Sequence, residues 1–156
     1  MVSKLGIILP ALTHSQLCYE LINSLNHFKQ VNNKIDIVVF TENIQPSPLR
    51  VNGATLGIYD AWGYDGTLIA TNLSTAKVLN KMPGHNRKLF YVYNFEWIHN
   101  PTLFYEYMEV VNNLEVINRT ESHAKVFDNN FNKPSVFNLN SMNVGELWTK
   151  LNTKTS

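Results

Sequence analysis

The sequence predicts a single α/β domain, doubly wound and Rossmann-like, with a mostly parallel sheet of about six or seven strands. Three observations favour this fold. Short apolar runs recur along the chain, a polar or charged cluster follows each run, and a helix-start signal follows the cluster. Buried strands that alternate with amphipathic helices form βα units on a parallel sheet. We expect the domain to span residues 1–152 and residues 153–156 to fray.

The first half of the chain contains apolar runs that predict strands. They cover residues 5–10, 35–40, 54–59 and 67–70. Thr13 and Gln16 form a capping-box pattern, which predicts a helix from there through about Phe28. Residues 45–52 contain two prolines and no periodicity, so we expect a loop there.

The second half of the chain continues the alternation of strand and helix. Strands are predicted at residues 89–93, 114–117 and 134–139. The helices of this half are expected to begin at Asn72, Asn100, Thr120 and Asn143. Asparagine and threonine are favoured at these positions because their side chains accept hydrogen bonds from the first amides of a helix. The chain therefore reads as strand–helix units up to its C-terminal end.

The composition excludes several classes of protein. The 156 residues carry a net charge of +1, which gives no general attraction to nucleic acids or membranes. A single cysteine, Cys18, excludes an internal disulfide. The apolar stretch 5–12 is too short to span a membrane and lacks a cleavage region, so we expect a cytoplasmic protein without a membrane partner. The lack of a Cys/His set predicts no metal site.

The sequence has no phosphate-loop, dinucleotide-binding or serine-hydrolase motif. Candidate catalytic residues are therefore chosen by their position directly after a predicted strand. Ligands bind outside the carboxyl ends of parallel strands. The catalytic candidates there are Glu96, Asp60 and His14. Glu96 follows a very apolar strand, so we expect it to be exposed at a cleft or paired with Arg119. The structural alternatives are an ion pair for Glu96, a turn residue for Asp60 and a surface residue for His14.

The segment that begins at Arg119 is the best candidate for phosphate binding. Arg119 precedes a predicted helix start, where free amides favour an anion. Thr120, Ser122 and His123 add side-chain donors in the first turn of that helix. The alternative is that Thr120 only caps the helix.

Two other polar groups are weaker candidates for ligand contacts. Asn138 and Asn140 end the last predicted strand, where they would either hydrogen-bond sugar hydroxyls or be ordinary loop residues. Lys81, His85, Arg87 and Lys88 make the loop before the 89–93 strand basic. That loop is a candidate contact for nucleic-acid phosphates, with a solvated turn as the alternative.

Three segments together resemble the glycosyltransferase-like proteins of tailed phages, whose fold is similar to one half of a two-domain B-type glycosyltransferase. The segments are 67–77 (TLIATNLSTAK), 89–97 (LFYVYNFEW) and 118–138 (NRTESHAKVFDNNFNKPSVFN). The residues that match the family's pattern in kind are Asn72, Glu96, Trp97, Arg119, Ser122 and His123. The pattern departs at residues 137–140, which read Phe-Asn-Leu-Asn where the family has an acid.

The resemblance implies a nucleotide-sugar-dependent transferase that needs no separate cofactor, or a relative that keeps the fold. It implies that Asn72, Trp97, Arg119, Ser122 and His123 contact the donor. It also implies that modified cytosine in phage DNA is the acceptor, inside the host cell. A complete B-type enzyme uses two such domains, so one domain of this size would need either a second copy of this chain as partner or an open site. The alternative function is a non-catalytic module of the same fold that binds a nucleotide or a protein. A flavodoxin-like or receiver-like domain is less favoured, because Thr13 and His14 stand where an acidic cluster would follow the first strand.

The transferase hypothesis makes one geometric expectation. It requires His14, Asp60, Glu96 and Arg119 to meet at a common rim of the sheet, although they are widely separated along the chain.

Overall fold

Seven strands form one parallel sheet in the computed structural model, which describes residues 2–84 and 86–153. The strands are β1 Lys4–Ala11, β2 Asp36–Asn43, β3 Ala54–Gly57, β4 Thr67–Ala70, β5 Lys88–Val92, β6 Glu115–Asn118 and β7 Ser135–Asn138. The helices are α1 Gln16–Val31, α2 Leu73–Lys81, α3 Glu96–His99, α4 Leu103–Val111, α5 Glu121–Phe131 and α6 Val144–Thr153. A 3₁₀ helix, Ile58–Gly63, joins β3 to β4.

The strand order confirms the doubly wound fold. The sheet runs β3-β2-β1-β4-β5-β6-β7, and every neighbouring pair is parallel. The chain moves outward from β1 to β3, crosses back to β4, and then moves outward in the other direction to β7. The order therefore reverses between β1 and β4, which is where open α/β sheets form their ligand crevice.

Helices cover both faces of the sheet, and each face has its own apolar core. α1 and α6 pack on one face, against side chains such as Ile7, Ile69 and Tyr91. The 3₁₀ helix and α2 to α5 cover the other face, which is built around Phe40, Phe90 and an aromatic cluster. Burial on both faces explains why the strands read as continuous apolar runs in the sequence.

Local structure differs from the sequence expectations in four places, one of which is the helix expected to begin at Asn100, since α4 begins at Leu103. The expected capping box at Thr13 is wrong: Ser15 caps α1, its Oγ accepting from the amide of Cys18 at 3.3 Å. The strand expected over residues 54–59 ends at Gly57, and the 3₁₀ helix takes up the rest. The short helix α3 was not predicted.

The last helix runs one residue beyond the expected end of the domain at residue 152. Thr153 is the last residue of α6, and residues 154–156, where fraying was expected, lie outside the described residues. In the described part of the chain, no helix is long and apolar enough to cross a membrane.

Candidate functional site

A cleft of about 570 Å³ lies at the carboxyl ends of β1, β4 and β5. Its lining residues are Pro10, Ser15, Gln16, Leu17, Thr71, Asn72, Tyr93, Asn94 and Glu96. The cleft therefore sits where the strand order reverses, as the parallel sheet predicts. Its described lining contains one carboxyl group, that of Glu96, and no lysine or arginine. Hydroxyls and amides supply most of the remaining polar groups.

The first turn of α1 forms one wall of this cleft. Ser15 ends the loop after β1 and holds the amide of Cys18, so that the helix begins at the cleft rim. Gln16 lies on the wall and donates from Nε2 to Oε1 of Glu20 at 2.8 Å. Glu20 in turn accepts from the amide of Met142 at 3.0 Å. This chain of contacts holds the side chain of Gln16 in place.

The start of α2 forms the opposite wall. Asn72 caps the helix through a complete capping box, its Oδ1 accepting from the amide of Thr75 at 2.9 Å. Thr71 is buried and donates from Oγ1 to the carbonyl oxygen of Ile8 at 2.8 Å, which ties this wall to β1. The Oδ1 of Asn72 is committed to the helix, while its Nδ2 has no partner among the described residues and remains for a ligand.

Glu96 is fixed by one of its two carboxylate oxygens. Oε1 accepts from the amide of Leu73 at 3.0 Å and from the hydroxyl of Tyr107 at 3.0 Å. Burial, and then the adjacent carboxylate, raises the pKa of the Tyr107 phenol, so it stays a donor across the physiological range. Oε2 has no partner among the described residues, and Glu96 lines the cleft. A pre-positioned acceptor of this kind suits a ligand hydroxyl.

Arg119 contacts Tyr93, which lines the cleft, and forms no ion pair with Glu96 in the described structure. Its guanidinium carbon lies 4.5 Å from the centroid of the Tyr93 ring, and Nε donates to the carbonyl oxygen of Asn140 at 3.1 Å. Tyr93 is the residue that lines the cleft. Burial raises the pKa of the Tyr93 phenol. Of the two alternatives for Glu96, exposure at the cleft therefore matches the structure and the ion pair does not.

The start of α5 is capped as the sequence predicts. Thr120 Oγ1 accepts from the amide of His123 at 3.2 Å and lies 2.9 Å from Oγ of Ser122. The His123 ring stacks on Phe95 with centroids 4.6 Å apart, and its Nδ1 is buried without a partner among the described residues. Burial, assisted by the positive charge of Arg119, lowers the pKa of His123. The surroundings of His123 in this aromatic contact therefore favour the neutral imidazole over the charged form.

Trp97 lies in the core. It is 8% exposed and forms edge contacts with Tyr107 at 4.7 Å, Phe131 at 4.9 Å and Phe127 at 5.7 Å. Phe95 packs against it at 4.7 Å. We therefore assign Trp97 to packing, where it fixes the short helix α3 that begins at Glu96.

The two asparagines at the end of β7 are separated from the cleft. Asn138 lines a different cavity, of about 290 Å³, against α5, and its carbonyl oxygen accepts from Nζ of Lys150 at 2.6 Å. Asn140 is exposed and contributes its carbonyl oxygen to Arg119. Neither side chain is brought to Glu96 by a contact in the described structure.

His14 and Asp60 also occupy different places on the same edge of the sheet. His14 is exposed and lines a small cavity of about 170 Å³ with Tyr19 and Leu49. Asp60 is exposed on the 3₁₀ helix after the edge strand β3, and β2, β1 and β4 lie between β3 and the strand that precedes Glu96. The four residues of the geometric expectation therefore spread along the edge, and the 570 Å³ cleft is lined by Glu96 alone among them.

No known family, curated protein or solved structure matches this chain. The fold and the cleft are therefore the features that indicate its function. The resemblance to glycosyltransferase-like proteins rests on sequence patterns alone and stays a hypothesis.

The basic loop before β5 is used mainly for internal contacts. Arg87 forms a two-pronged contact with the carboxylate of Glu115, at 2.9 and 2.7 Å. Lys88 donates from Nζ to the carbonyl oxygen of Met82. His85 lies outside the described residues. These contacts favour the turn interpretation over a phosphate-binding loop.

Sequence reasoning missed the residues that fix the cleft. Tyr107 reads as one apolar position of α4, and nothing in its spacing distinguishes the tyrosine that holds Glu96 from an ordinary core aromatic. Gln16 reads as part of a capping pattern. The strand order could have pointed to this cleft. Residues that follow β1 and β4 lie on either side of the position where the strand order reverses, but that order is not visible in the sequence.

Proposed function

We propose that the protein binds a nucleotide sugar and that the uncharged part of this ligand occupies the cleft between β1 and β4. The observation that carries the proposal is the anchored carboxylate of Glu96, which presents a free Oε2 in a crevice at the strand-order reversal. A fixed acceptor among neutral hydroxyls and amides suits the hydroxyl groups of a sugar or ribose.

The rest of the cleft supports the same ligand class. Tyr93 offers an aromatic surface whose position is stabilised by the Arg119 guanidinium. Leu17 and Pro10 add apolar wall, and Asn72 retains a free amide group. Aromatic and apolar surface combined with a few directed polar groups is typical of nucleoside and sugar sites.

Transfer of the sugar is the catalytic form of this proposal. Glu96 Oε2 would take the proton of an acceptor hydroxyl as that oxygen bonds to the anomeric carbon and the nucleoside diphosphate leaves with its electron pair. Modified cytosine in phage DNA is the acceptor that the resemblance implies. A second copy of the chain, as the resemblance implies, would cover the open side of the cleft between the walls formed by α1 and α2.

A non-catalytic binding module is the second candidate function. It is favoured by the structural use of Glu96, whose Oε1 accepts two internal hydrogen bonds. It is also favoured by the position of His14, the other candidate base, in a separate cavity.

Titration calorimetry and product assays with uridine-diphosphate sugars separate these outcomes. Glu96→Gln is the decisive variant, because a glutamine Oε1 still accepts from Leu73 and Tyr107 while the charge is removed. A transferase predicts retained binding and a loss of about 100- to 10,000-fold in nucleoside diphosphate release. Glu121→Gln, on the exposed first turn of α5, is the matched control.

The same measurements distinguish the two functions and test the proposal itself. Binding without product release by the unmodified protein selects the binding module. A lack of binding to any nucleotide or nucleotide sugar contradicts both candidates.

A further inference from the structure

We propose that the outer edge of β3 is a self-association surface, through which a second copy of this chain extends the sheet. β3, Ala54–Gly57, is the last strand on one side of the sheet and pairs with β2 alone in the described structure. Its first three residues are exposed. The outward-facing amides and carbonyls of such a strand have no partner in the sheet, so they are available to another strand.

The β3 edge lacks the features that usually protect an exposed strand. Charged side chains, proline and a very short strand are common protections. Residues 51–59 (VNGATLGIY) contain no charge and no proline, and β3 is as long as the interior strands β4 and β6. The strand at the other side of the sheet, β7, directly follows Lys133 and Pro134, and each of its residues is partly covered. Of the two edges, that of β3 is the one open to pairing.

Exposed apolar side chains lie near the carboxyl end of this edge. Tyr59 is 84% exposed, Ile44 83% and Leu56 43%. Ile44 lies beside the last residue of β3, because a Cβ placed on Gly57 would be 3.6 Å from its Cδ1 atom. A partner strand would remove part of this apolar surface from water, which favours association.

The charges that flank β3 favour a second copy of this chain as the partner. Arg50 precedes the strand and Asp60 follows it, and both are exposed without an ion-pair partner among the described residues. Two copies related by a two-fold axis can pair this edge only in the antiparallel direction. Antiparallel pairing centred on Thr55 brings the Arg50 end of each copy to the Asp60 end of the other. The segment between these two residues is neutral, so opposite charges meet and no like charges do.

The dimer is expected to be weak and concentration-dependent. Each copy contributes a four-residue strand and a few flanking side chains, which places the interface at the small end of specific contacts. The second copy continues the sheet beyond β3, and β2 lies between β3 and β1, whose carboxyl end borders the cleft. Edge pairing therefore leaves the cleft open, differs from a copy that covers the cleft, and does not depend on the proposed ligand.

Sedimentation equilibrium over a wide range of protein concentrations tests the proposal. The unmodified protein is expected to associate reversibly into dimers. Leu56→Lys places two like charges close to the two-fold axis and should weaken dimerisation more than about tenfold. Val126→Lys is the matched control, because Val126 lies on α5 and is 41% exposed, close to the 43% of Leu56. This control should leave dimerisation unchanged.

Charge reversal tests the antiparallel arrangement. Arg50→Glu and Asp60→Arg should each weaken dimerisation about three- to tenfold, since every dimer contains two of these exposed pairs. The double variant restores opposite charges across the interface and should dimerise as the original protein does. Both residues are exposed, so this comparison stands even where Leu56→Lys disturbs the fold.

Three results would overturn the proposal. A protein that stays monomeric at every concentration leaves the edge to a strand of some other protein, and the second copy is then the wrong partner. Dimerisation of unchanged strength in a folded Leu56→Lys variant shows that the copies meet at another surface. A double charge variant that dimerises no better than the single variants excludes the antiparallel pairing of this edge.

Discussion

The carboxylate of Glu96 caps the N-terminus of α2, although Glu96 itself lies after β5. Its Oε1 accepts from the amide nitrogen of Leu73, 23 positions earlier in the chain, at 3.0 Å. The first amides of a helix have no partner within the helix, so an outside carboxylate both satisfies one of them and interacts favourably with the helix dipole. The same oxygen accepts from Tyr107 on α4. The side chain of Glu96 thus joins the start of α3 to α2 and α4 at the edge of the cleft.

Replacing Glu96 tests this junction through stability. Glu96→Ala leaves the Leu73 amide and the buried Tyr107 hydroxyl without an acceptor, so we expect a loss of about 1–3 kcal/mol in the free energy of unfolding. Glu96→Gln keeps an acceptor for both and should cost clearly less. Urea denaturation of both variants measures the difference. Equal losses would show that the two hydrogen bonds contribute little to the stability of the fold.

Asn72 gives a second stability prediction on the other side of the same helix start. Asn72→Ala removes the acceptor of the Thr75 amide and the Thr75 hydroxyl, and we expect a loss of about 1 kcal/mol. Asn72→Ser retains a capping oxygen and should recover most of that loss. Thermal unfolding followed by circular dichroism checks both variants. If Asn72→Ala leaves the melting temperature unchanged, Glu96 alone stabilises the N-terminus of α2.

The sequence predicted the fold because the strands are buried on both faces. Each strand had to be a continuous apolar run, and such runs are visible without knowledge of the contacts. Caps such as Thr120 and Asn72 were also predictable, since their hydrogen bonds reach only three residues along the chain. Even so, the expected cap of α1 was wrong, since Thr13 was predicted and Ser15 caps the helix.

The site was less predictable because its contacts are long-range. Glu96 was identified as a candidate from its place after β5, but its partners Leu73 and Tyr107 depend on how α2 and α4 pack. The sequence likewise offered Arg119 as a partner of Glu96 or of a phosphate, and only the folded structure shows its contacts with Tyr93 and Asn140. Position relative to a strand could be inferred, whereas the direction of a side chain could not.

Trp97 provides a test of packing near the site. Trp97→Ala should cost about 3–5 kcal/mol, because it removes a side chain that is 8% exposed and surrounded by aromatic rings. Trp62→Ala is the matched control, since Trp62 is 43% exposed, and we expect a clearly smaller loss. Guanidinium denaturation of the two variants provides the comparison. Similar losses would contradict the core position of Trp97.

His123 makes stability depend on pH in a direction that its environment fixes. Burial in the aromatic contact with Phe95, and then the charge of Arg119, lowers its pKa in the folded protein below the ordinary value of about 6.5. Below about pH 6.5 the unfolded chain binds a proton at this histidine more readily than the folded chain does. The contribution of His123 to stability is therefore fully present above that pH and declines as the pH falls through it towards the lower folded pKa.

Denaturant unfolding at pH 7 and pH 5 measures this effect. The stability lost between the two pH values should be smaller in His123→Phe, which keeps a ring against Phe95 but cannot bind a proton. His27→Gln changes an exposed histidine on α1 and should retain the pH dependence of the original protein. If His123→Phe loses as much stability between pH 7 and pH 5 as the original protein does, another group controls the response and the imidazole is not held neutral by its surroundings.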